Sequence, residues 1–320
     1  MITERAVDSF SALTLSAPGA ELDATFVPAA GMVGCSLRHR GDELLGQRGG
    51  LRAYVAERGT MGIPLLHPWA NRLARMRFAV AGREVDLDAG QPPPALDPNG
   101  LPIHGLLAAA AGWRVEWTES TDDGGTLAAG FDFGADEGLL AAFPFPHRLA
   151  LEATLTGSTL TITTAVRASG ETPVPISFGF HPYFRLPGID RSEWVIEAPV
   201  GERLALDGRM LPTGAREPTR MMSGRLGERT FDDGYVAPDG GAPFALTGGG
   251  RRIEVTFADG YPFAQVYAPA DDDVVAIEPM TAPTNALVAG GPELRVLAPG
   301  ATYEAGFSIT VETAERTSAA

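Results

Sequence analysis

Pro175-Ile-Ser-Phe-Gly-Phe-His181-Pro182-Tyr-Phe-Arg185 is the stretch from which the fold and the chemistry of this chain are best read. It has a partner much later in the chain, Val274-Val-Ala-Ile-Glu278-Pro279-Met-Thr-Ala-Pro283. Each stretch is a short apolar, β-branched or aromatic run that ends in one titratable residue, and a proline follows at once. Because proline biases the residue before it toward extended backbone, both runs are predicted to be strands whose last side chain points in a fixed direction.

The alternation of side chains along a strand sorts each run into two faces. His181 shares its face with Gly179 and Ser177, and Glu278 shares its face with Ala276. The bulkier aromatic and branched residues point to the opposite face in both runs. The titratable groups therefore stand on the side with the smaller residues, where a ligand has room. A histidine and a carboxylate that face one cavity make a general acid and base pair.

The composition narrows the class of protein. With 44% hydrophobic and 20% charged residues, the 320-residue chain is typical of an ordered globular protein. The formal net charge of -15 argues against nucleic acid and an anionic membrane surface as partners. All 25 basic residues are arginine, which excludes Schiff-base chemistry and a phosphate-loop lysine. Cys35 is the only cysteine, so an internal disulfide and a cysteine-rich metal site are excluded.

The sequence carries no recognisable targeting or membrane segment. The stretch Met1–Ala20 lacks the basic start and apolar run of a signal peptide. No apolar run is long enough to span a membrane. We therefore expect a cytoplasmic protein that does not associate with membranes.

Short strands broken by turn residues recur along the whole chain. Its 39 glycine and 26 proline residues leave little room for long amphipathic helices, and clusters of them separate apolar runs of strand length. This pattern predicts an all-β fold, a sandwich or barrel formed by residues 1–320 as a single domain. The predicted strands are Ala24–Pro28, Val33–Arg38, Leu51–Val55, Val115–Thr118, Arg148–Leu155, Leu160–Val166, Trp194–Ala198, Arg252–Phe257, Ala264–Tyr267 and Phe307–Val311.

Three segments are predicted to depart from this pattern. The alanine-rich stretch Leu106–Ala111 is the best candidate for a helix, although it is short. The stretch Leu204–Gly227, rich in arginine, glycine and proline, is predicted to be a long loop. Residues after Ala314 are predicted to form a frayed tail.

Several further residues are candidates for a ligand site. Trp69, Asn71 and Arg72 combine an aromatic ring, an amide and a guanidinium, which suit a polyhydroxylated ligand. A surface turn with a buried tryptophan explains the same segment equally well. His104, between an isoleucine and a glycine, reads by itself as a hydrogen-bonded structural histidine.

The acidic candidates differ in strength. A carboxylate within Ile-Glu-Pro-Met has apolar neighbours, and burying Glu278 there is costly unless it has a role. Asp232 and Asp233 precede a glycine, and aspartate before glycine is an ordinary turn signal. Either could face a ligand. His67 stays undecided, whereas His39 is predicted to lie on the surface and His147 on the surface or in a cleft; neither is placed in the site.

Five segments resemble, in their order along the chain, the motifs of the aldose 1-epimerase (galactose mutarotase) family. They fall between Ile63 and Asn285, so the likeness covers most of the chain. The His-Pro-Tyr-Phe and Glu-Pro-Met-Thr segments are the most specific. The matching pieces are Pro68-Trp69-Ala70-Asn71-Arg72, Ile103-His104-Gly105, Gly179-Phe180-His181-Pro182-Tyr183-Phe184, Phe231-Asp232-Asp233-Gly234-Tyr235 and Ile277-Glu278-Pro279-Met280-Thr281-Ala282-Pro283.

The resemblance implies a large antiparallel β-sandwich, the galactose mutarotase-like supersandwich, with an open sugar cleft. It implies that Glu278 is a general base, His181 a general acid and His104 a second polarising donor. Arg72 and Asp232 would then bind sugar hydroxyls or the ring-opened oxygen, with Trp69 and Asn71 beside them. The chain looks more like the shorter bacterial branch of the family, whose substrates are diverse, so the reaction is better supported than the sugar.

The chemistry of anomer exchange matches these residue types. Interconverting α and β anomers requires a proton to leave the C1 hydroxyl and another to reach the ring oxygen; the opened chain rotates about C1–C2 and closes again. A histidine with a reference pKa of about 6.5 is a suitable acid near neutral pH. A glutamate of about 4.3 becomes a better base where desolvation raises its pKa. We expect a monosaccharide substrate and no metal, nucleotide or other cofactor.

Three other interpretations remain open at this stage. A non-catalytic sugar-binding protein would need the cleft but not both His181 and Glu278. A mutarotase for an anionic sugar, such as a hexose 6-phosphate or a sulfonated hexose, would need basic partners near the cleft. Arg75, Arg77 and Arg185 are candidates for that role. A glycosidase with two carboxylates ranks lower, because that chemistry needs no histidine. The oligomeric state is left open.

Overall fold

The computed structural model describes residues 1–220 and 222–313. The first elements in the chain are strands β1 (Ile2–Val7), β2 (Phe10–Ala17), β3 (Leu22–Val27), β4 (Val33–His39) and β5 (Asp42–Glu43), helix α1 (Gly50–Glu57), and strands β6 (Leu65–Leu66), β7 (Arg77–Val80), β8 (Arg83–Asp86), β9 (Ala95–Leu96) and β10 (Pro102–Ile103). Next come strands β11 (Arg114–Thr121) and β12 (Gly124–Asp132), helix α2 (Glu137–Ala142), and strands β13 (His147–Thr156), β14 (Thr159–Ala168), β15 (Val174–Ile176), β16 (Gly179–Phe180), β17 (Tyr183–Phe184) and β18 (Val195–Ala198). The last elements are strands β19 (Glu202–Leu206), β20 (Pro212–Pro218), β21 (Met222–Arg225), β22 (Phe231–Val236), β23 (Phe244–Gly248), β24 (Arg251–Phe257), β25 (Phe263–Ala268) and β26 (Val275–Met280), helix α3 (Ala286–Ala289), and strands β27 (Arg295–Leu297) and β28 (Thr302–Thr313).

Two large sheets dominate the architecture. One has nine strands in the order β11-β12-β13-β14-β28-β24-β23-β18-β21. The other follows the path β20-β19-β22-β25-β26-β16-β6, with β17 also paired to β26. The pairings within both sheets are antiparallel. Strands β1 to β5 form a separate five-stranded sheet, and β2 contacts β12 and β13.

The two large sheets pack face to face through their apolar sides. Along β13 and β14, buried and exposed residues alternate as expected for strands with one side on a core. The ring of Phe180 in the second sheet lies 5.1 Å from that of Phe307 in the first, measured between centroids. The prediction of a large antiparallel β-sandwich is confirmed.

Strand β26 is buried along its whole length because both of its faces are covered. Val275 and Ile277 join the main hydrophobic core, as Phe178 and Phe180 do. Ala276 instead packs on the opposite side in a small cluster with Tyr183. The predicted sorting of side chains into a bulky face and a small face is therefore correct for both stretches.

Three predictions about local structure are wrong. Leu51–Val55 is part of helix α1, where the buried Leu51 and Tyr54 have helical rather than strand spacing. Leu106–Ala111 forms turns, because the backbone amides of Leu106 and Leu107 donate to the carbonyl of His67 and so leave helical geometry.

The predicted loop Leu204–Gly227 largely consists of β19, β20 and β21, whose polar outer residues hid their strand character. The predicted tail after Ala314 lies outside the described residues. The single-domain organisation stays a prediction. None of the helices in the described part of the chain is long and apolar enough to cross a membrane.

Candidate functional site

The pairing of β16 and β17 with β26 brings the two sequence stretches together. Gly179 pairs with Met280, and Tyr183 pairs with Ala276. The same antiparallel register places His181 opposite Glu278. The imidazole Nε2 of His181 lies 3.2 Å from Oε1 of Glu278, and both side chains are almost fully buried. The close approach of these strands depends on glycine, since a Cβ at position 179 would lie 2.5 Å from the carbonyl oxygen of Pro279.

Burial sets the charge state of this pair. Burial raises the pKa of Glu278 well above its ordinary value, and the nearby charge of Asp232 adds to this while Arg72 opposes it. Burial lowers the pKa of His181 well below its ordinary value, with further contributions from His104 and Arg48. Both shifts favour the form of the pair in which the carboxyl group is protonated and the imidazole is neutral. Glu278 Oε2 and His181 Nδ1 have no hydrogen-bond partner among the described residues.

Arg72 forms the next layer of the site, held between two carboxylates. Its Nε donates to Oδ2 of Asp97 at 2.8 Å, and its Nη2 donates to Oδ2 of Asp232 at 3.2 Å. Asn71 supports it, because the Asn71 side-chain oxygen accepts from both the backbone N and Nη1 of Arg72. Burial alone would raise the pKa of Asp97, but hydrogen bonds from the Leu101 amide and from Arg72 bring it below its ordinary value.

Gln265 connects this layer to the acid–base pair. It stands opposite Glu278 in the register of β25 with β26, and its side-chain amide donates to Oδ1 of Asp232 at 2.6 Å. Asp232 is thus fixed by two donors, whereas Asp233 points away and pairs with Arg203. Of the two aspartates left open by the sequence, Asp232 is the one that lies beside Arg72 and Gln265.

His104 reaches the pair from a loop. Its ring centroid lies 5.4 Å from that of His181, edge to face. Burial, followed by the charges of Arg72 and Arg48, lowers the pKa of His104 to about 3, so its imidazole is neutral. Gly105 allows this placement, because φ is +77° there and a Cβ would lie 2.2 Å from the His67 carbonyl oxygen. A cavity of about 170 Å³ opens beside His104 and Thr60.

The accessibility of the site falls from its edge to its floor. The Asp232 side chain is 29% exposed and that of Arg72 13%, whereas those of His181 and Glu278 are 5% and 2%. A ligand would therefore meet Arg72 and Asp232 before it reached the acid–base pair. Trp69 has no exposed surface and belongs to the main core, a position that favours packing rather than contact with a ligand.

The other histidines have structural surroundings. His147 is fully buried, so its predicted position on the surface or in a cleft is wrong. A carbonyl can only accept, so His147 Nδ1–H donates to the Phe145 carbonyl at 2.6 Å and leaves Nε2 to accept from His67 Nε2, 2.7 Å away. His39 is also buried, beside Arg251, contrary to prediction.

The buried histidines make stability depend on pH. Burial lowers the pKa of His67, His104, His147 and His181, in the case of His147 to about 4. Below about pH 6.5 the unfolded chain therefore binds protons that the folded chain does not, which costs about 1.4 kcal/mol per pH unit for each proton. The raised pKa of Glu278 has the opposite effect on stability, because it gives the folded chain one extra proton. This proton offsets the effect of only one of the four histidines. We expect the free energy of unfolding by urea to fall steeply between about pH 6.5 and pH 4. An equal free energy at about pH 7 and pH 5 would contradict this.

Within residues 1–220 and 222–313, no group of three His, Cys, Asp or Glu side chains is placed to hold a metal ion. The acid–base pair, His104 and the Arg72 group can instead exchange protons with a ligand and bind its hydroxyl groups. Sequence reasoning missed the partners Asp97 and Gln265. It also missed three residues around His181, namely Arg48, Thr60 and Tyr183.

Comparisons with known proteins identify the family and the fold of this chain. The sequence model described as Aldose 1-epimerase matches residues 35–310. The chain is 31% identical over 123 residues to an uncharacterized Escherichia coli K12 protein, YphB; the match covers 38% of this chain and 36% of that protein, about a third of its length.

Solved structures share the fold over nearly the whole chain. A galactose mutarotase-like protein from Clostridium acetobutylicum has a TM-score of 0.84 at 18% identity, with 98% of each chain covered. A putative aldose 1-epimerase from Escherichia coli K12 has a TM-score of 0.72 at 22% identity, covering 98% of this chain and 100% of the other. A galactose 1-epimerase from Lactobacillus acidophilus has a TM-score of 0.75 at 14% identity, covering 98% and 99%. With the family match spanning residues 35–310, the chain belongs to the aldose 1-epimerase family.

Proposed function

We propose that this protein is a mutarotase that interconverts the α and β anomers of a free aldose. The observation that carries the proposal is the contact between His181 Nε2 and Glu278 Oε1 at 3.2 Å, at the buried floor of the site. Each of these residues also has one polar atom without a hydrogen-bond partner in the described part of the chain, Glu278 Oε2 and His181 Nδ1. Buried polar atoms without partners are costly, and a bound sugar would supply partners for them.

The proposed reaction uses the single proton of this pair. Transfer of the proton from Glu278 to His181 gives a carboxylate and an imidazolium. Glu278 then takes the proton of the C1 hydroxyl while His181 gives its proton to the ring oxygen, and the ring opens. The pair returns to the neutral form that burial favours, so the open-chain sugar forms beside an uncharged pair. Rotation about C1–C2 and closure by the reverse steps give the other anomer.

The remaining residues would bind the sugar. His104, neutral and close to His181, is placed to donate a hydrogen bond to a polarised oxygen. Arg72 and Asp232 would bind hydroxyl groups near the edge, and Asn71 would hold Arg72 in place. Trp69, sealed in the core, would support the segment from behind rather than touch the sugar.

Arg72 and two of the arginines considered for an anionic substituent, Arg77 and Arg185, favour a neutral sugar. Arg72 is already neutralised by two carboxylates. Arg77 is 70% exposed and pairs with Asp86, and Arg185 lines a different cavity together with Cys35. Neither arginine therefore supports an anionic substituent at this site.

The proposal is tested by NMR exchange spectroscopy on a panel of neutral and anionic sugars. We expect catalytic amounts of protein to speed α–β exchange of at least one neutral aldose. Binding without faster exchange would favour a sugar-binding protein, and faster exchange of anionic sugars alone would favour the anionic-sugar mutarotase.

Arg72→Ala should impair both sugar binding and turnover. Its guanidinium would hold hydroxyl groups in the ground state and the transition state alike, and hydrogen bonds to charged groups contribute about 1.5–3 kcal/mol. We expect kcat/KM for anomer exchange to fall by roughly 10- to 100-fold with a raised KM. Arg77→Ala, which removes an exposed arginine, is the matched control and should behave as wild type. An unchanged KM in Arg72→Ala would remove Arg72 from the binding site.

A further inference from the structure

The hydroxyl group of Tyr183 is the meeting point of three polar side chains, of which the proposed reaction uses only His181. It lies 3.2 Å from His181 Nε2, 2.6 Å from Thr60 Oγ1 and 3.1 Å from Arg48 Nη1. The Tyr183 ring stacks on the imidazole of His181 with centroids 4.1 Å apart, and the Arg48 guanidinium lies over the same ring. Tyr183 and His181 are both almost fully buried.

The hydrogen-bonding capacity of these groups leaves the Tyr183 hydroxyl two directions, because His181 Nε2 engages only one of its two neighbours at 3.2 Å, Tyr183 Oη or Glu278 Oε1. Arg48 can only donate, so the Tyr183 oxygen always accepts from it. When His181 Nε2 carries no proton and does not accept from the Glu278 carboxyl group, the Tyr183 hydroxyl donates to that nitrogen and accepts from Thr60. When Nε2 carries a proton, or accepts the proton of Glu278, it no longer accepts from Tyr183, and Tyr183 turns its own hydrogen toward Thr60.

We propose that Thr60 and Tyr183 form a hydroxyl relay that follows the protonation of His181 Nε2, with both as positioning residues. In this relay Arg48 is the fixed donor, and the two hydroxyl groups reverse direction together. A general acid must lose and regain its proton in every turnover, and the relay supplies a donor to the unprotonated Nε2 and a second acceptor, Thr60, to Tyr183 in the other form. This inference rests on the proposed function as far as turnover is concerned, but the hydrogen-bond reversal itself does not.

The most specific test removes the Thr60 hydroxyl group while keeping the shape of the side chain. Thr60→Val replaces the hydroxyl with a methyl group, so Tyr183 can no longer donate to residue 60 and is restricted to donating to His181 Nε2. Thr60→Ser keeps the hydroxyl and is the matched control. The chain has five histidines, so the ¹⁵N spectrum of histidine-labelled protein is simple, and His181→Asn identifies the His181 signals.

We expect Thr60→Val to shift the His181 Nε2 signal toward that of an unprotonated nitrogen at a given pH, and Thr60→Ser to match wild type. In a Tyr183→Phe background the effect of Thr60→Val should vanish, because the relay is already broken. A His181 signal unaffected by Thr60→Val, or a shift that persists without the Tyr183 hydroxyl, would overturn the relay.

Kinetics provide the second readout. We expect Thr60→Val to lower kcat for anomer exchange roughly tenfold with little change in KM, the effect of one lost hydrogen bond to a charged form. Thr60→Ser should restore kcat. A raised KM with an unchanged ¹⁵N spectrum would mean that Thr60 contacts the sugar and that the relay is wrong. If the wild-type protein exchanges no sugar, the proposed function fails, and the ¹⁵N measurement still decides whether the relay exists.

Discussion

Glu278→Gln should reduce the rate of anomer exchange by roughly 100- to 10,000-fold, the range typical of a general acid or base. Burial favours the protonated form of the Glu278 carboxyl group, and an amide has nearly the same shape and polarity as a protonated carboxyl group. The substitution should therefore leave the fold and the packing of β26 almost unchanged. The amide cannot exchange a proton with the sugar, so only the chemical steps are lost.

The measurement is NMR exchange at several sugar concentrations, with binding followed separately by saturation-transfer NMR. Glu152→Gln, on the exposed side of β13, is the matched control and should keep full activity. Near-normal turnover in Glu278→Gln would show that another group is the base, or that the protein only binds its sugar.

His181→Asn should cause a loss of similar size while sugar binding is largely retained. Asparagine keeps a polar donor opposite Glu278 but cannot act as an acid near neutral pH. Both groups act in one coupled proton transfer, so the double variant Glu278→Gln/His181→Asn should be little slower than either single variant. The three variants are compared by the same exchange experiment. If the fold-loss in the double variant equals the product of the two single losses, the two residues act in separate steps.

The acid–base pair could be predicted because its signal is local. In each stretch a strand, a titratable residue and a proline are adjacent in sequence, and strand alternation then fixes the direction of His181 and Glu278. The same alternation places Val275 and Ile277 in the main core, as the structure has them. The overall fold follows from equally local information, namely turn residues between apolar runs.

The partners of these residues could not be predicted, because they come from segments far apart in sequence. Asp97 lies in a proline- and glycine-rich loop, and nothing near it indicates that it accepts from Arg72. Gln265 carries a faint signal, since it is a polar residue between apolar ones in a buried strand. Thr60 and Tyr183 are 123 positions apart, and only the folded chain brings their hydroxyl groups together.

Two errors arose from signals that the sequence does contain. Extending the alternation of Arg148–Leu155 back by one residue puts His147 on the side of Leu149 and Leu151, which is the core side. Leu51 and Tyr54 are three positions apart, a helical spacing, although the β-branched and aromatic residues around them resemble a strand.

The residues of the site differ in whether they are held by paired strands or by the segments that connect strands. His181 and Glu278 are held on neighbouring antiparallel segments whose register fixes their separation. Thr60, His104 and Asp97, by contrast, lie outside the strands, in the segments that border the opening. Insertions and substitutions in those segments can reshape the opening without altering the 3.2 Å contact at its floor. Under the proposed function, divergence in those segments would change the choice of sugar more readily than the geometry of the acid–base pair.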